Sequence, residues 1–133
     1  MNKIVEFLKN SGVQYFATIG LDGKPKVRPF QFMFEEDEKL WFCTSNKKKI
    51  YEELMKQPYI ELCASGENMS WLRLESKVVF SDSLEAKEKV FELSPLVKGI
   101  YKISDNPDFE VFYLDGVTAS ISEMGKPPQI FKL

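Results

Sequence analysis

Val13-Gln14-Tyr15-Phe16-Ala17-Thr18-Ile19-Gly20-Leu21-Asp22-Gly23-Lys24-Pro25-Lys26-Val27-Arg28-Pro29-Phe30 places two runs rich in aromatic and β-branched side chains on either side of Asp22-Gly23. Such an Asp-Gly pair signals a hairpin, because tight hairpin turns need the positive φ that these residues tolerate. The pattern predicts a strand over 13–20 and its return over 25–34. Both faces of the return strand are mostly apolar: Val27, Pro29, Gln31 and Met33 on one, Arg28, Phe30, Phe32 and Phe34 on the other. A strand apolar on both faces is expected to be buried on both. In so short a chain, that calls for a barrel wall covered by helices or by a partner subunit.

The flanking sequence continues the theme. Residues 2–11 read as a short amphipathic helix stopped by Gly12. Residues 35–39 are a charged turn, and 40–44 a third strand. A helix is expected from Lys47 to about Gln57, burying Ile50 and Leu54 with Tyr51 and Met55 at its margins, and ending before Pro58. Strands follow over 59–64 and 71–80. Asp82-Ser83-Leu84-Glu85 resembles a capping box, with Asp82 as the cap, ahead of a helix over 83–93. A helical turn and loop fill 95–108. Residues 109–114 and 117–122 read as a hairpin around Asp115-Gly116, and 130–133 as an edge strand. Six or seven strands in serial hairpins, with three or so helices, make an α+β fold. Its sheet is expected to be a small antiparallel barrel, closed or partly closed.

The chain has 133 residues and a net charge of -2, so one domain is expected and a nucleic-acid-coating role is not. Glu6 and Lys9 interrupt any apolar leader, and no run approaches the roughly 20 apolar residues of a membrane span, so the expected compartment is the cytoplasm. Cys43 and Cys63 are widely separated and fit no metal-ligand spacing; they read as buried free thiols. There is no histidine. That removes the commonest general base and metal ligand, so any redox chemistry falls to a cofactor.

The basic residues are oddly placed. Ser45-Asn46-Lys47-Lys48-Lys49 opens the expected helix, whose N-terminus already carries about half a positive charge. An anion resolves the conflict, since free backbone N–H groups, helix dipole and lysines together suit a phosphate. The alternative is a solvated charge run. Arg28, in mid-strand, suits either bidentate phosphate recognition or an ion pair with one of the carboxylates. Pro29 removes a ladder donor and marks an edge or bulge where a ligand meets the backbone of Phe30 and Gln31. Ser45 serves as helix cap, and Thr44 and Ser45 offer hydroxyls to a phosphate. Trp71 packs in the core or walls a planar ring.

These blocks, from Thr18-Ile19-Gly20-Leu21-Asp22-Gly23-Lys24-Pro25 through Arg28-Pro29-Phe30, then Leu40-Trp41-Phe42-Cys43-Thr44-Ser45 with the lysines, then Trp71-Leu72-Arg73-Leu74, resemble the pyridoxamine 5'-phosphate oxidase-like FMN-binding split-barrel family. General stress and nitroimidazole-resistance flavoproteins are similar neighbours. The resemblance covers nearly the whole chain. It implies an antiparallel split β-barrel with flanking helices over 1–133, and a homodimer with FMN at the subunit interface. By position, Arg28, Lys48 and Lys49 would hold the phosphate, Pro29, Phe30 and Gln31 would flank the ring system, and Cys43 and Thr44 would line the cofactor. Trp71 falls near a position where relatives carry glutamine. True pyridoxamine phosphate oxidases bear arginine and histidine near the C-terminus. This chain has no histidine and no arginine after Arg73, so that oxidation is not expected.

The resulting expectation is an FMN-dependent oxidoreductase passing electrons or hydride from reduced nicotinamide to a small-molecule acceptor. A flavin-binding module without turnover, such as a sensor, and a relative using another phosphorylated cofactor remain alternatives. An oligonucleotide-binding barrel is disfavoured by the acidic balance.

Overall fold

A computed structural model describes residues Met1 to Leu133. In chain order the elements are α1 (Asn2–Ser11), β1 (Gln14–Ile19), β2 (Pro25–Phe30), β3 (Phe34–Glu36), β4 (Lys39–Ser45), α2 (Lys49–Lys56), β5 (Tyr59–Ser65), β6 (Ser70–Ser81), α3 (Leu84–Leu93), α4 (Pro95–Tyr101), β7 (Phe109–Glu123) and β8 (Gln129–Lys132). The α+β class is as expected, with every strand pairing antiparallel. Eight strands form where six or seven were expected: the 25–34 run divides into two strands, while 109–122 is a single one.

The expected strand over 25–34 is two strands at opposite ends of the sheet. The sheet runs β2-β1-β5-β6-β7-β4-β3, with β8 also on β7. Its two end strands are consecutive in sequence, joined only by Gln31, Phe32 and Met33. So short a connection reaches about 14 Å at most, so the sheet must curl until its ends meet. The result is a barrel split between β2 and β3. The crossing is pinned by backbone bonds that leave the β1–β2 ladder: Phe32 N–H donates to Gln14 Oε1 at 2.6 Å, and Met33 N–H to the Trp41 carbonyl at 3.0 Å.

Gln14 is a fully buried polar residue that the pattern reading did not single out. Its amide nitrogen donates to the Leu8 carbonyl and to Ser11 Oγ, both at 3.0 Å. One side chain therefore joins the end of α1, the start of β1 and the β2–β3 crossing. Of the groups it bonds, the Phe32 N–H has no other acceptor, whereas the Leu8 carbonyl also accepts from Ser11 Oγ at 2.9 Å.

The 109–122 region is also corrected. It is one long strand, β7, that pairs with β6 on both sides of Asp115-Gly116. Glu75 faces Thr118 while Lys77 faces Asp115, so Gly116 and Val117 together oppose the single residue Ser76. Gly116 sits at φ 65°. A glycine in that conformation makes a bulge that bends a strand, where the sequence pattern alone reads as a turn. Ser76 Oγ donates to the Asp115 carbonyl at 2.7 Å and closes the irregularity.

The barrel interior is aromatic. Phe16 on β1 lies 4.8 Å from Phe30 on β2, 5.4 Å from Phe42 on β4 and 5.9 Å from Phe112 on β7, ring centre to ring centre. A second apolar cluster, including Phe34, Trp41, Val90 and Phe109, sits under α3. The expectation that β2 is buried on both faces does not hold within one chain. Its residues alternate between exposed and half-buried, and Val27 is 67% exposed. Met55 is exposed, while Tyr51 packs on Phe80. The cap of α3 is Ser83, whose Oγ accepts from Ala86 N–H at 3.1 Å; Asp82 is not the cap. Both cysteines are free, but Cys63 is exposed and only Cys43 is part-buried.

Gln14→Leu keeps the volume but strands the buried Phe32 N–H without an acceptor. It should lower the unfolding free energy by about 2–3 kcal/mol, measured by urea denaturation; an unchanged midpoint would show that Gln14 does not pin the crossing.

Candidate functional site

Barrel closure brings β2 against β4 and the start of α2. A cavity of about 310 Å³ lies there. Arg28, Pro29, Phe30, Gln31 and Met33 form one side, and Cys43 and Thr44 of β4 the floor. Lys48, Lys49 and Ile50 line the end nearest α2, and Val97, Ile100 and Tyr101 of α4 the opposite wall. Eight of the residues singled out from sequence thus share one cavity: Arg28, Pro29, Phe30, Gln31, Cys43, Thr44, Lys48 and Lys49. Trp71 does not. It is on β6 opposite Ser65 and Ser122, away from the cavity wall. Arg73 is also remote, in an exposed ion pair with Glu61.

The cationic end differs from the expectation in detail. The helix begins at Lys49, so the three lysines do not share a first turn. Lys48 occupies the cap position in extended conformation, and Lys47 precedes it. Ser45 is not the cap; its Oγ accepts from Lys47 N–H at 3.1 Å within the junction. No side chain caps α2, and the Lys49 and Ile50 amides have no acceptor in the protein. Lys47 lies 3.9 Å from Asp108, and Lys49 lies 3.6 Å from Glu52. Lys48 pairs with no carboxylate, which makes it the uncompensated cation of the cavity.

Arg28 is not free. One terminal nitrogen donates to Glu53 Oε1 at 2.7 Å, and the other to Thr18 Oγ1 at 2.6 Å. Thr18 in turn donates to the same Glu53 oxygen at 2.7 Å. Glu53 lies on the inward face of α2 with Ile50 and Leu54, and is 2% exposed. A buried carboxylate must be paired and hydrogen-bonded to be tolerated. Here both conditions are met.

Thr44 supplies a further polar group. Its Oγ1 is buried and has no hydrogen-bond partner, an unusual state for a native hydroxyl. By contrast, neither titratable group on the β4–α4 side is poised for proton transfer at neutral pH. Burial pushes the Cys43 thiol up to about 12, only partly opposed by Lys48. Burial likewise raises Tyr101 above the usual phenol range. The cavity can therefore bind and orient an anion beside an apolar surface, with neither Cys43 nor Tyr101 suited to acid–base work there.

Met33, Val97, Ile100 and Tyr101 escaped the sequence reading. The available signal was in α4, where Leu96, Val97, Ile100 and Tyr101 crowd one seven-residue helix that buries none of its residues. A larger groove of about 580 Å³ lies around the β7 bulge. Its lining sets Glu61, Glu75 and Asp115 against Lys77, and it lacks an unpartnered buried polar atom.

The family described as pyridoxamine 5'-phosphate oxidase matches residues 1–121. No curated protein matches the chain. Among solved structures, a NimC/NimA family protein from Clostridium acetobutylicum is 33% identical, with a TM-score of 0.91 over 100% of this chain and 93% of that one. General stress protein 26 from Bacillus anthracis is 16% identical, with a TM-score of 0.80 over 99% and 97% of the two chains. A pyridoxamine 5'-phosphate oxidase-related, FMN-binding protein from Nostoc punctiforme is 17% identical, with a TM-score of 0.69 over 99% and 95%. The latter two likenesses are of fold alone.

Arg28→Ala strands the buried Glu53 charge and should destabilise the protein by about 3 kcal/mol or more, whereas Lys48→Ala should leave the urea midpoint near that of the parent. Equal midpoints for both would contradict the pairing. The thiol makes a separate prediction. Because Cys43 binds its proton more tightly folded than unfolded, stability should fall as pH rises from about 9 to about 12. Cys43→Ser should flatten that fall in thermal melts across the range.

Proposed function

Since the chain belongs to the pyridoxamine 5'-phosphate oxidase family, we propose that residues 1–133 form one FMN-binding domain whose cofactor occupies the cavity between β2, β4, α2 and α4. The observation that carries this reading is the pairing of an unpaired lysine, an uncapped helix start and an orphaned Thr44 hydroxyl with an apolar wall. That donor set suits a phosphate joined to a planar ring system.

In this reading Lys48 supplies the charge for the phosphate, supported by Lys49 and by the outward N–H groups of Arg28. The Lys49 and Ile50 amides and the Thr44 hydroxyl donate the remaining hydrogen bonds. β2 is an edge strand, so part of its backbone has no ladder partner; the backbone at Pro29, Phe30 and Gln31 orients the ring. Cys43, Met33, Val97 and Ile100 exclude water. Bound FMN supplies electron or hydride transfer from a reduced nicotinamide to a small acceptor. Trp71 has no place in this proposal. Pyridoxamine phosphate is not the proposed acceptor, because no histidine exists and the last arginine, Arg73, points away from the cavity into its ion pair with Glu61.

We further propose a homodimer with the cofactor at its interface. Support comes from the exposed apolar face of β2, with Val27 67% exposed, and from a cavity at the small end of the range for ligand sites. No helix is long and apolar enough to cross a membrane; the proposed setting is the cytoplasm, with no nucleic-acid partner.

The test is an absorbance spectrum after FMN loading and gel filtration, followed by reduction with NADH or NADPH in the presence of acceptors. Retained flavin at near one per subunit is expected, and Lys48→Ala should weaken it by about 1.5–3 kcal/mol. Flavin that binds but is never reduced would favour a sensor or carrier. Absence of binding at saturating FMN would sink the cofactor assignment.

A further inference from the structure

We infer that Glu53 is a positioning residue: it holds the Arg28 guanidinium in one orientation at the cavity wall, so that Arg28 contributes directed N–H donors and not net charge. The inference rests on the reading that the cavity takes a phosphate-bearing ligand.

The geometry is a closed triangle. Glu53 Oε1 accepts from Arg28 and from Thr18, each at 2.7 Å, and Thr18 Oγ1 accepts from Arg28 at 2.6 Å. Glu53 and Thr18 are both buried and sit on rigid elements, α2 and β1. Arg28 sits on the edge strand β2, where a long side chain would otherwise sample many rotamers. Two of its five N–H donors are used, one on each terminal nitrogen, which fixes the plane of the fork. The other donors have no protein acceptor, and the residue lines the cavity. A donor fixed before the ligand arrives loses less freedom on binding.

The electrostatics divide the work. The Glu53 carboxylate offsets the Arg28 charge at contact distance, so Arg28 offers little long-range attraction to an anion. Lys48, which has no carboxylate partner, carries that part. Glu53, a helix residue that the sequence pattern does not single out, thus sets the geometry of an arginine 25 positions away.

The experiment uses an Arg73→Lys background, in which Arg28 is the only arginine. Guanidinium nitrogen NMR then reports rotation of Arg28 in the ligand-free protein. Two resolved terminal-nitrogen environments are expected in the background chain and a single averaged one after Glu53→Ala. FMN and riboflavin affinities are read by flavin fluorescence. Glu53→Ala should weaken FMN about tenfold or more, consistent with loss of a charged hydrogen bond's orientation, and leave riboflavin unchanged. Glu53→Gln keeps an acceptor oxygen and should stay within about threefold of the background for FMN. Should Glu53→Ala not fold, Thr18→Val decides, because it removes only one acceptor; partial averaging and an intermediate FMN loss are expected.

Averaged nitrogens in the background chain, or FMN binding unchanged by a folded Glu53→Ala or by Thr18→Val, would overturn the inference. Equal losses for FMN and riboflavin would place Arg28 against the ring and overturn its role toward phosphate. If the background chain binds no FMN, the cofactor reading fails, while the NMR arm still decides whether Glu53 clamps Arg28.

Discussion

The contact on which the rest depends is the aromatic closure across the barrel. Phe30 belongs to β2, at one end of the sheet, yet its ring lies 6.0 Å from Phe112 of β7 and 6.5 Å from Phe42 of β4, near the other end. Phe16 packs against all three. Such rings bury large apolar areas and prefer the tilted arrangements seen here. Remove that closure and the two walls of the candidate site separate, since Arg28 to Phe30 lie on the strand at one end of the hydrogen-bonded path and Cys43 to Thr44 on the strand next to the other end. Gln14 completes the closure in polar terms, because the β2–β3 crossing has no ladder to satisfy its amides.

The site built on this frame has an uneven distribution of charge. Arg28 is matched by Glu53, Lys49 weakly by Glu52 and Lys47 weakly by Asp108, which leaves Lys48 alone beside an uncapped helix start. Exposed pairs of this kind contribute little to stability, so the lysines' placement is poorly explained as structural support. The buried pair is different: neither member can be removed without leaving the other uncompensated. Protonated Cys43 and Tyr101 add polarity without acid–base function, and the chemistry of the site would therefore be set by what it binds.

Much of this was legible in the chain. The hairpin at Asp22-Gly23, the strand before Ser45, the helix stop at Pro58 and the cation-rich junction all follow from local rules, because turns, caps and periodicity involve residues a few positions apart. The misreadings share one cause. The 25–34 run looks continuous because hydrophobic alternation does not record where a strand changes partner. Asp115-Gly116 looks like a turn because a bulge needs the same glycine. The burial of Glu53 was in principle readable, since it shares the Ile50–Leu54 face and a mid-strand arginine needs a carboxylate. Among many acidic residues, however, nothing local selects this one. The α4 wall was missed because a short apolar helix does not reveal what it faces.

By itself, the sequence determined the antiparallel α+β character, the absence of histidine chemistry, and seven of the residues that meet in one cavity, Cys43 being added only by the family resemblance. Those seven depend on side-chain type and near-neighbour spacing, which a linear string records. Only the tertiary structure decided that β2 and β3 lie at opposite ends of a split sheet, that Arg28 is clamped by Glu53 and Thr18 while Lys48 is free, and that Trp71 stands apart. Those outcomes depend on closure of the barrel, which brings together groups from β1, β2, β4, α2 and α4. Their contacts arise from long-range packing and burial, and no local pattern encodes them.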